Sequence, residues 1–137
     1  MTIKEKQIHL ARYRLQQADE SIDEAKCLLS AEKSPRSIIN RAYYAMFYAV
    51  LALLVFEPYS SSKHSGVLSY FNKRFIKEGI FPEEIGRSIN KAFEIRQEGD
   101  YREYAELRYK EVEPFIKKAE VFIQTVKKYL ERNRFAD

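Results

Sequence analysis

Tryptophan is absent from this sequence, cysteine occurs once, histidine twice, and glycine and proline four times each among 137 residues. A lone cysteine, Cys27, excludes an internal disulfide and any metal centre built from several thiolates. Two histidines leave little room for a metal site of another kind, so no metal ligands and no cofactor are expected. So few glycines and prolines speak against an all-β fold with its many tight turns. Phosphate-cradling glycine loops, paired-cysteine motifs, His-Glu-x-x-His and the nucleophile elbow are all missing. Internal repeats, low-complexity tracts and alternation of period two are missing too. The first residues, Met1-Thr-Ile-Lys-Glu-Lys6, carry no apolar run, so no signal peptide is read and a cytoplasmic location is expected. Any chemistry must come from a few polar residues set on apolar helix stripes.

Hydrophobic residues make up 45% of the chain, enough to build one core, and charged residues 32%, enough to cover it; one domain over residues 1–137 is expected. The 24 basic and 20 acidic side chains are interleaved, so the net charge of +4 favours an anionic partner such as RNA only mildly.

The stretch Arg41–Phe56 is apolar or aromatic nearly all round, with Arg41 its one charge. A helix without a polar face is normally buried among others. Sixteen residues rich in tyrosine are also too few to span a bilayer, which takes about 20. The stretch therefore reads as the central core helix of a bundle, and Ala42, Ala45, Ala49 and Ala52 let neighbours approach closely.

Before it, Ile8, Ala11, Leu15, Ala18, Ile22, Ala25 and Leu29 step by three and four, predicting an amphipathic helix over roughly residues 4–32. Cys27, beside Leu28 and Leu29, is expected to be a small buried hydrophobe. Ser34-Pro35 supplies an N-cap and a first-turn proline for the central helix, which Glu57-Pro58 ends near Phe56. His64, Val67, Leu68, Phe71 and Phe75 mark a third helix closed by Gly79. Pro82-Glu83-Glu84 opens a fourth, striped by Ile85, Ile89, Ala92, Phe93 and Arg96, with Gly99 as its expected stop. Asp100 to Glu113 is expected to be partly helical. Pro114 begins the last helix, striped by Phe115, Ala119, Phe122, Val126 and Tyr129, before a tail expected to fray. The fold class is all-α, an antiparallel bundle of about five helices.

Three polar residues sit unusually on these stripes. Arg41 heads the central helix, with Tyr44 and Tyr48 on its own face. His64 shares the inward stripe of the third helix. Arg96 continues the Ala92–Phe93 face and is followed by Asp100 and Tyr101. A buried arginine demands a partner, and Asp100 is an expected counter-ion for Arg96 or Arg41. Taken singly, each also has a plain reading: Arg41 as a cap or ion pair, His64 as an ordinary hydrogen-bonded residue, and Tyr43, Tyr44 and Tyr48 as packing with hydroxyls towards edges.

Three runs together, Arg41-Ala-Tyr-Tyr-Ala-Met-Phe-Tyr48, Ser62-Lys63-His64-Ser65-Gly66 and Phe93-Glu-Ile-Arg96-Gln-Glu-Gly-Asp100-Tyr101, resemble the HEPN superfamily, and more narrowly its small UPF0332 members, over about residues 5 to 130. The resemblance implies a helical bundle that forms a homodimer and is encoded beside a minimal nucleotidyltransferase. In such pairs the HEPN protein is toxin-like and the nucleotidyltransferase its antitoxin. It further implies metal-independent cleavage of RNA through an arginine, a polar residue and a histidine after four to six intervening positions, from two copies meeting across the dimer. Arg96 and Gln97 match that motif, whereas the position of the histidine carries Tyr101. On this resemblance the catalytic candidates are Arg96, His64, Tyr101 and Asp100, and the substrate-binding candidates Arg41, Tyr44 and Lys63. Tyr101 is also a candidate for nucleotide addition by the partner. Three readings stay open: an RNA-cleaving or RNA-binding toxin, a non-catalytic module that binds a nucleotide or a nucleotidyltransferase, and a buried ion-pair network that fixes helix register.

Overall fold

The computed structural model describes residues 1–101 and 107–136, with positions 99–101 described in backbone only. Its elements are α-helices with no strand among the described residues: α1 (Ile3–Ser30), α2 (Pro35–Leu54), α3 (His64–Phe71, continued by a π-helical segment Asn72–Lys77), α4 (Glu83–Tyr101), the single turn α5 (Tyr109–Val112) and α6 (Pro114–Asn133). Five of these are long enough to form the expected bundle.

The caps follow the sequence. Ser34 accepts from the Ser37 amide at 3.2 Å with Pro35 in the first turn of α2. This satisfies one of the donors that every helix start leaves unpaired. Ser34→Ala is expected to cost about 1 kcal/mol, read as a shift in the urea midpoint at unchanged slope. At the end of α1 the chain turns through Glu32, a non-glycine residue at φ 55°. Tyr109 of α5 braces that turn, its hydroxyl lying 2.8 Å from both the Glu32 and Lys33 carbonyl oxygens. Gly79 closes the third helix at φ 81°, a conformation glycine adopts without penalty.

By length and composition α2 is apolar enough to cross a membrane, yet it is largely buried against α1, α4 and α6. Ala42, Ala45, Ala49 and Ala52 are all fully buried, so the neighbouring backbones come close where those small side chains lie. A second layer of aromatic packing joins α3 to α6, with Phe71 and Phe122 rings 5.6 Å apart and Phe75 edge-on to Tyr129 at 5.8 Å.

Four expectations are corrected. Cys27 is exposed, because two residues beyond buried Ala25 a side chain points about 200° round the helix from it. Helix α4 does not stop at Gly99 but runs to Tyr101; a helical glycine costs about 1 kcal/mol relative to alanine and does not by itself end a helix. The tail does not fray at once. Arg134 lies over Phe56 at 5.4 Å, and Phe135 meets Phe56 edge-on and takes Arg12 on its face at 4.4 Å. The third helix is not uniformly α. Its π segment begins where Asn72 donates both to the Leu68 carbonyl at 2.8 Å and to Asn90 of α4 at 2.9 Å, with Asn90 donating back at 3.0 Å.

Glu57, just past α2, proves to be a polar hub. Its carboxylate is 6% exposed and accepts from the Tyr70 hydroxyl at 2.8 Å and Arg74 Nε at 3.0 Å, with Arg134 at 3.8 Å. It ties the α2–α3 connection to α3 and to the tail. Removing it strands several donors, so Glu57→Ala is expected to cost about 2–3 kcal/mol in thermal or urea unfolding.

Candidate functional site

Helix α2 sets the site by its periodicity. Arg41 and Tyr44 are three residues apart and so share a face, with the Arg41 guanidinium 5.1 Å from the Tyr44 ring centre and the Tyr48 ring tilted against that of Tyr44 at 5.8 Å. Arg41 donates to Asn40 at 3.1 Å and approaches Glu24 of α1 at 4.0 Å. Its acidic neighbour among the described residues is therefore Glu24; the expected counter-ion, Asp100, has its side chain outside the described residues, as does Tyr101.

Tyr43, the residue next to Tyr44 round the helix, points inward. It is fully buried, and its hydroxyl is 2.9 Å from Nδ1 of His64. The expectation that this hydroxyl faces an edge is thus overturned: Tyr43 falls on the inward stripe with Ile39, Phe47 and Val50, so it enters the core. His64 opens α3 and is half-buried. Its ring stacks on Phe47 at 4.1 Å with planes 12° apart and meets Tyr44 edge-on at 5.6 Å. The preceding loop is drawn in tightly, since Ser61 accepts from the Lys63 amide at 3.1 Å. A Cβ on Gly66 would lie 2.8 Å from the Ser61 hydroxyl and 2.9 Å from that of Tyr59. Glycine there lets the loop close over the first turn of α3, which presents His64. The Lys63 side chain stands exposed beside it.

Arg96 arrives from α4. Its guanidinium lies 5.2 Å from the ring centres of both Tyr43 and Tyr44, with Phe93 of the same helix 5.6 Å from Tyr43. Its Nε is buried and has no hydrogen-bond partner among the described residues. Aromatic faces stabilise a desolvated guanidinium by about 2 kcal/mol, without using its N–H donors. Tyr44 therefore carries a guanidinium from each of two helices, and Tyr43 links Arg96 through its ring to His64 through its hydroxyl.

The electrostatics follow from this crowding. Burial, and then the Arg96 charge, hold the His64 pKa below its ordinary 6.5, and the positive end of α3 acts in the same direction. Burial pushes the Tyr43 phenol well above its ordinary range, a shift that Arg96 opposes. For a histidine whose folded pKa is lowered, the unfolded chain binds more protons below 6.5, so stability falls as pH drops from 6.5 towards the folded value. The melting temperature of the wild type is expected to decline over that window, and His64→Gln to lose that part of the decline.

Sequence reasoning singled out His64, Arg96, Arg41 and Tyr44, and the fold brings these four together. It missed Tyr43. One signal was available: a hydroxyl on the inward stripe of a core helix needs a partner there. No three histidine, cysteine, aspartate or glutamate side chains converge among the described residues. A groove of about 710 Å³ lies elsewhere, between α4 and α6, lined by Glu84, Arg87, Lys91, Glu94, Lys117 and Val121 among others. Its mixed charges carry no evident chemistry.

A family model described as HEPN domain matches residues 11–129. A UPF0332 protein of Thermotoga maritima is 45% identical over 96% of this chain and 96% of its own length. Two Methanocaldococcus jannaschii proteins, each named "Putative toxin", are each 36% identical, one over 85% of this chain and 78% of its own length, the other over 82% and 83%.

Proposed function

The chain belongs to the HEPN domain family, and from that premise we propose that it is the toxin-like half of a HEPN and minimal-nucleotidyltransferase pair, a cytoplasmic homodimer that cleaves RNA without metal. The observation that carries this reading is the state of Arg96: a guanidinium held by two ring faces, its buried Nε without a hydrogen-bond partner among the described residues, next to an imidazole whose pKa burial and that charge hold below its ordinary value. Such an arginine offers its planar guanidinium fork to a phosphodiester, whose two non-bridging oxygens that fork fits. Cleavage joins the ribose 2′-oxygen to phosphorus and expels the 5′-oxygen. Arg96 offsets the charge that grows on the phosphate oxygens, and His64 assists the proton movements near neutral pH. Asp100 orients one of these groups and Tyr101 engages the same phosphate. Arg41, Tyr44 and Lys63 extend the surface for the neighbouring nucleotide.

A second reading has one specific feature in its favour: Tyr101 stands where active relatives of this motif carry histidine. A tyrosine titrating near 10 is a poor base at neutral pH. In that reading the same cluster binds a nucleotide or the nucleotidyltransferase and cleaves nothing.

Purified protein incubated with total RNA in chelator separates the two. The nuclease reading expects cleavage that disappears in both Arg96→Ala and His64→Ala. The binding reading expects intact RNA together with saturable binding of nucleotide or nucleotidyltransferase that Arg96→Ala abolishes. Cleavage unaffected by both substitutions would point to contamination or another site.

A further inference from the structure

We propose that Tyr43 is a positioning residue: its hydroxyl donates to Nδ1 of His64, fixing the imidazole as the tautomer with hydrogen on Nε2, while its ring supports Arg96. The inference rests on the reading of His64 and Arg96 as the working groups, and it assigns a role to a residue that never meets substrate.

The direction of the hydrogen bond follows from burial and chemistry. Tyr43 is fully buried, and Nδ1 of His64, at 2.9 Å, is the partner of its hydroxyl among the described residues. If Nδ1 carried the hydrogen, it would donate to the phenol oxygen and leave the phenolic O–H buried without an acceptor, a cost of about 1–3 kcal/mol. A phenol is also a better donor than a neutral imidazole N–H, and an imidazole nitrogen a better acceptor than a phenol oxygen. Both considerations send the proton from oxygen to nitrogen. The groups packed around the ring agree: Phe47 beneath it, Tyr44 at its edge and Arg96 nearby offer no carboxylate to accept from Nδ1–H. Stacking on Phe47 at 4.1 Å also holds the ring plane.

The consequence concerns Nε2, the nitrogen left for substrate. Carrying hydrogen, it meets an oxygen of the bound phosphodiester as a donor. A neutral imidazole used in this way stabilises negative charge without first being protonated. The 2′-hydroxyl proton then passes to solvent water, and His64 assists that movement as the donor to the phosphate oxygen. Tyr43 thereby sets both halves of the site through two different parts of one side chain, the hydroxyl for His64 and the π-face for Arg96.

Nitrogen-15 NMR of the imidazoles tests this directly, because the chain has only two histidines. The His9→Gln variant assigns the His64 signals. Above pH 6.5 the wild type is expected to show a single tautomer, with a hydrogen-bonded, proton-free Nδ1 and a protonated Nε2. In Tyr43→Phe, which keeps the ring, the Nδ1 resonance should move to its unbonded position and the second tautomer should appear. Hydrogen on Nδ1 in the wild type would overturn the proposal, and that spectrum decides the matter even if the variant fails to fold. An imidazole spectrum unchanged in folded Tyr43→Phe would overturn it too. In the RNA assay Tyr43→Phe should slow cleavage on the order of 10-fold with RNA affinity unchanged, since the face under Arg96 remains. A wild type that shows the predicted tautomer but cleaves no RNA would refute the nuclease reading and support the assignment of Tyr43.

Discussion

Arg96→Ala is expected to lower metal-free RNA cleavage by about 100- to 1000-fold, the usual cost of removing one preorganised donor from a developing oxyanion. The reason lies in how the side chain is held. No carboxylate among the described residues neutralises it; two tyrosine faces at 5.2 Å do the holding. Its charge therefore stays available to a phosphate. Arg96→Lys should fail almost as badly. An ammonium on a flexible stem lacks the planar fork that grips a phosphate at two oxygens and the flat face that stacks on Tyr43 and Tyr44. Some stability is lost as well, on the order of 1–2 kcal/mol from the ring contacts. Rates should therefore be compared well below both melting temperatures. The His64 signals supply a control, because losing the nearby charge should raise the histidine's pKa towards its ordinary value.

Phe122→Ala is expected to have the largest effect on stability, about 3–5 kcal/mol, seen as a melting temperature lower by roughly 10–20 °C. Phe122 is fully buried on α6 and meets Phe71 of α3 at 5.6 Å, in a layer that continues through Phe75, Phe81 and Tyr129. Truncation leaves a void that aromatic neighbours cannot fill by rotating, because each is itself held by others. The effect on the site should be indirect. Variants at Phe122 that still fold should keep the His64 tautomer, since Tyr43 and Phe47 hang from α2 and not from α6.

Much of this architecture was legible because it depends on local spacing. The three-and-four steps from Ile8 to Leu29, the Ser34-Pro35 start and the Gly79 stop each state a backbone preference within a few residues, and the helices follow them. The π segment was not legible. It depends on Asn72 meeting Asn90, 18 positions away, on another helix. The docked tail hangs on Phe135 finding Phe56 and Arg12, again contacts without sequence proximity. At the site the same division holds. Arg41 above Tyr44 could be read from their spacing along α2. That Arg96 would stack on the same tyrosine could not, and neither could the bond between Tyr43 and His64, because the loop from Glu57 to Lys63 decides where α3 begins. Cys27 shows the opposite failure: apolar neighbours in sequence suggested burial, while its angle round α1 turned it outward.

The central claim is that Arg96 and His64, joined through Tyr43, form the surface that receives a phosphodiester. The most direct test follows the Arg96 Nε–H and the His64 ring resonances while a short single-stranded RNA, with its 2′-oxygens methylated to prevent cleavage, is titrated into labelled protein. Both sets of resonances are predicted to shift together and saturate at one concentration, with Arg41 following and the α4–α6 groove around Lys117 unchanged. Saturable binding that moves the groove resonances and leaves Arg96 and His64 where they were would contradict the account.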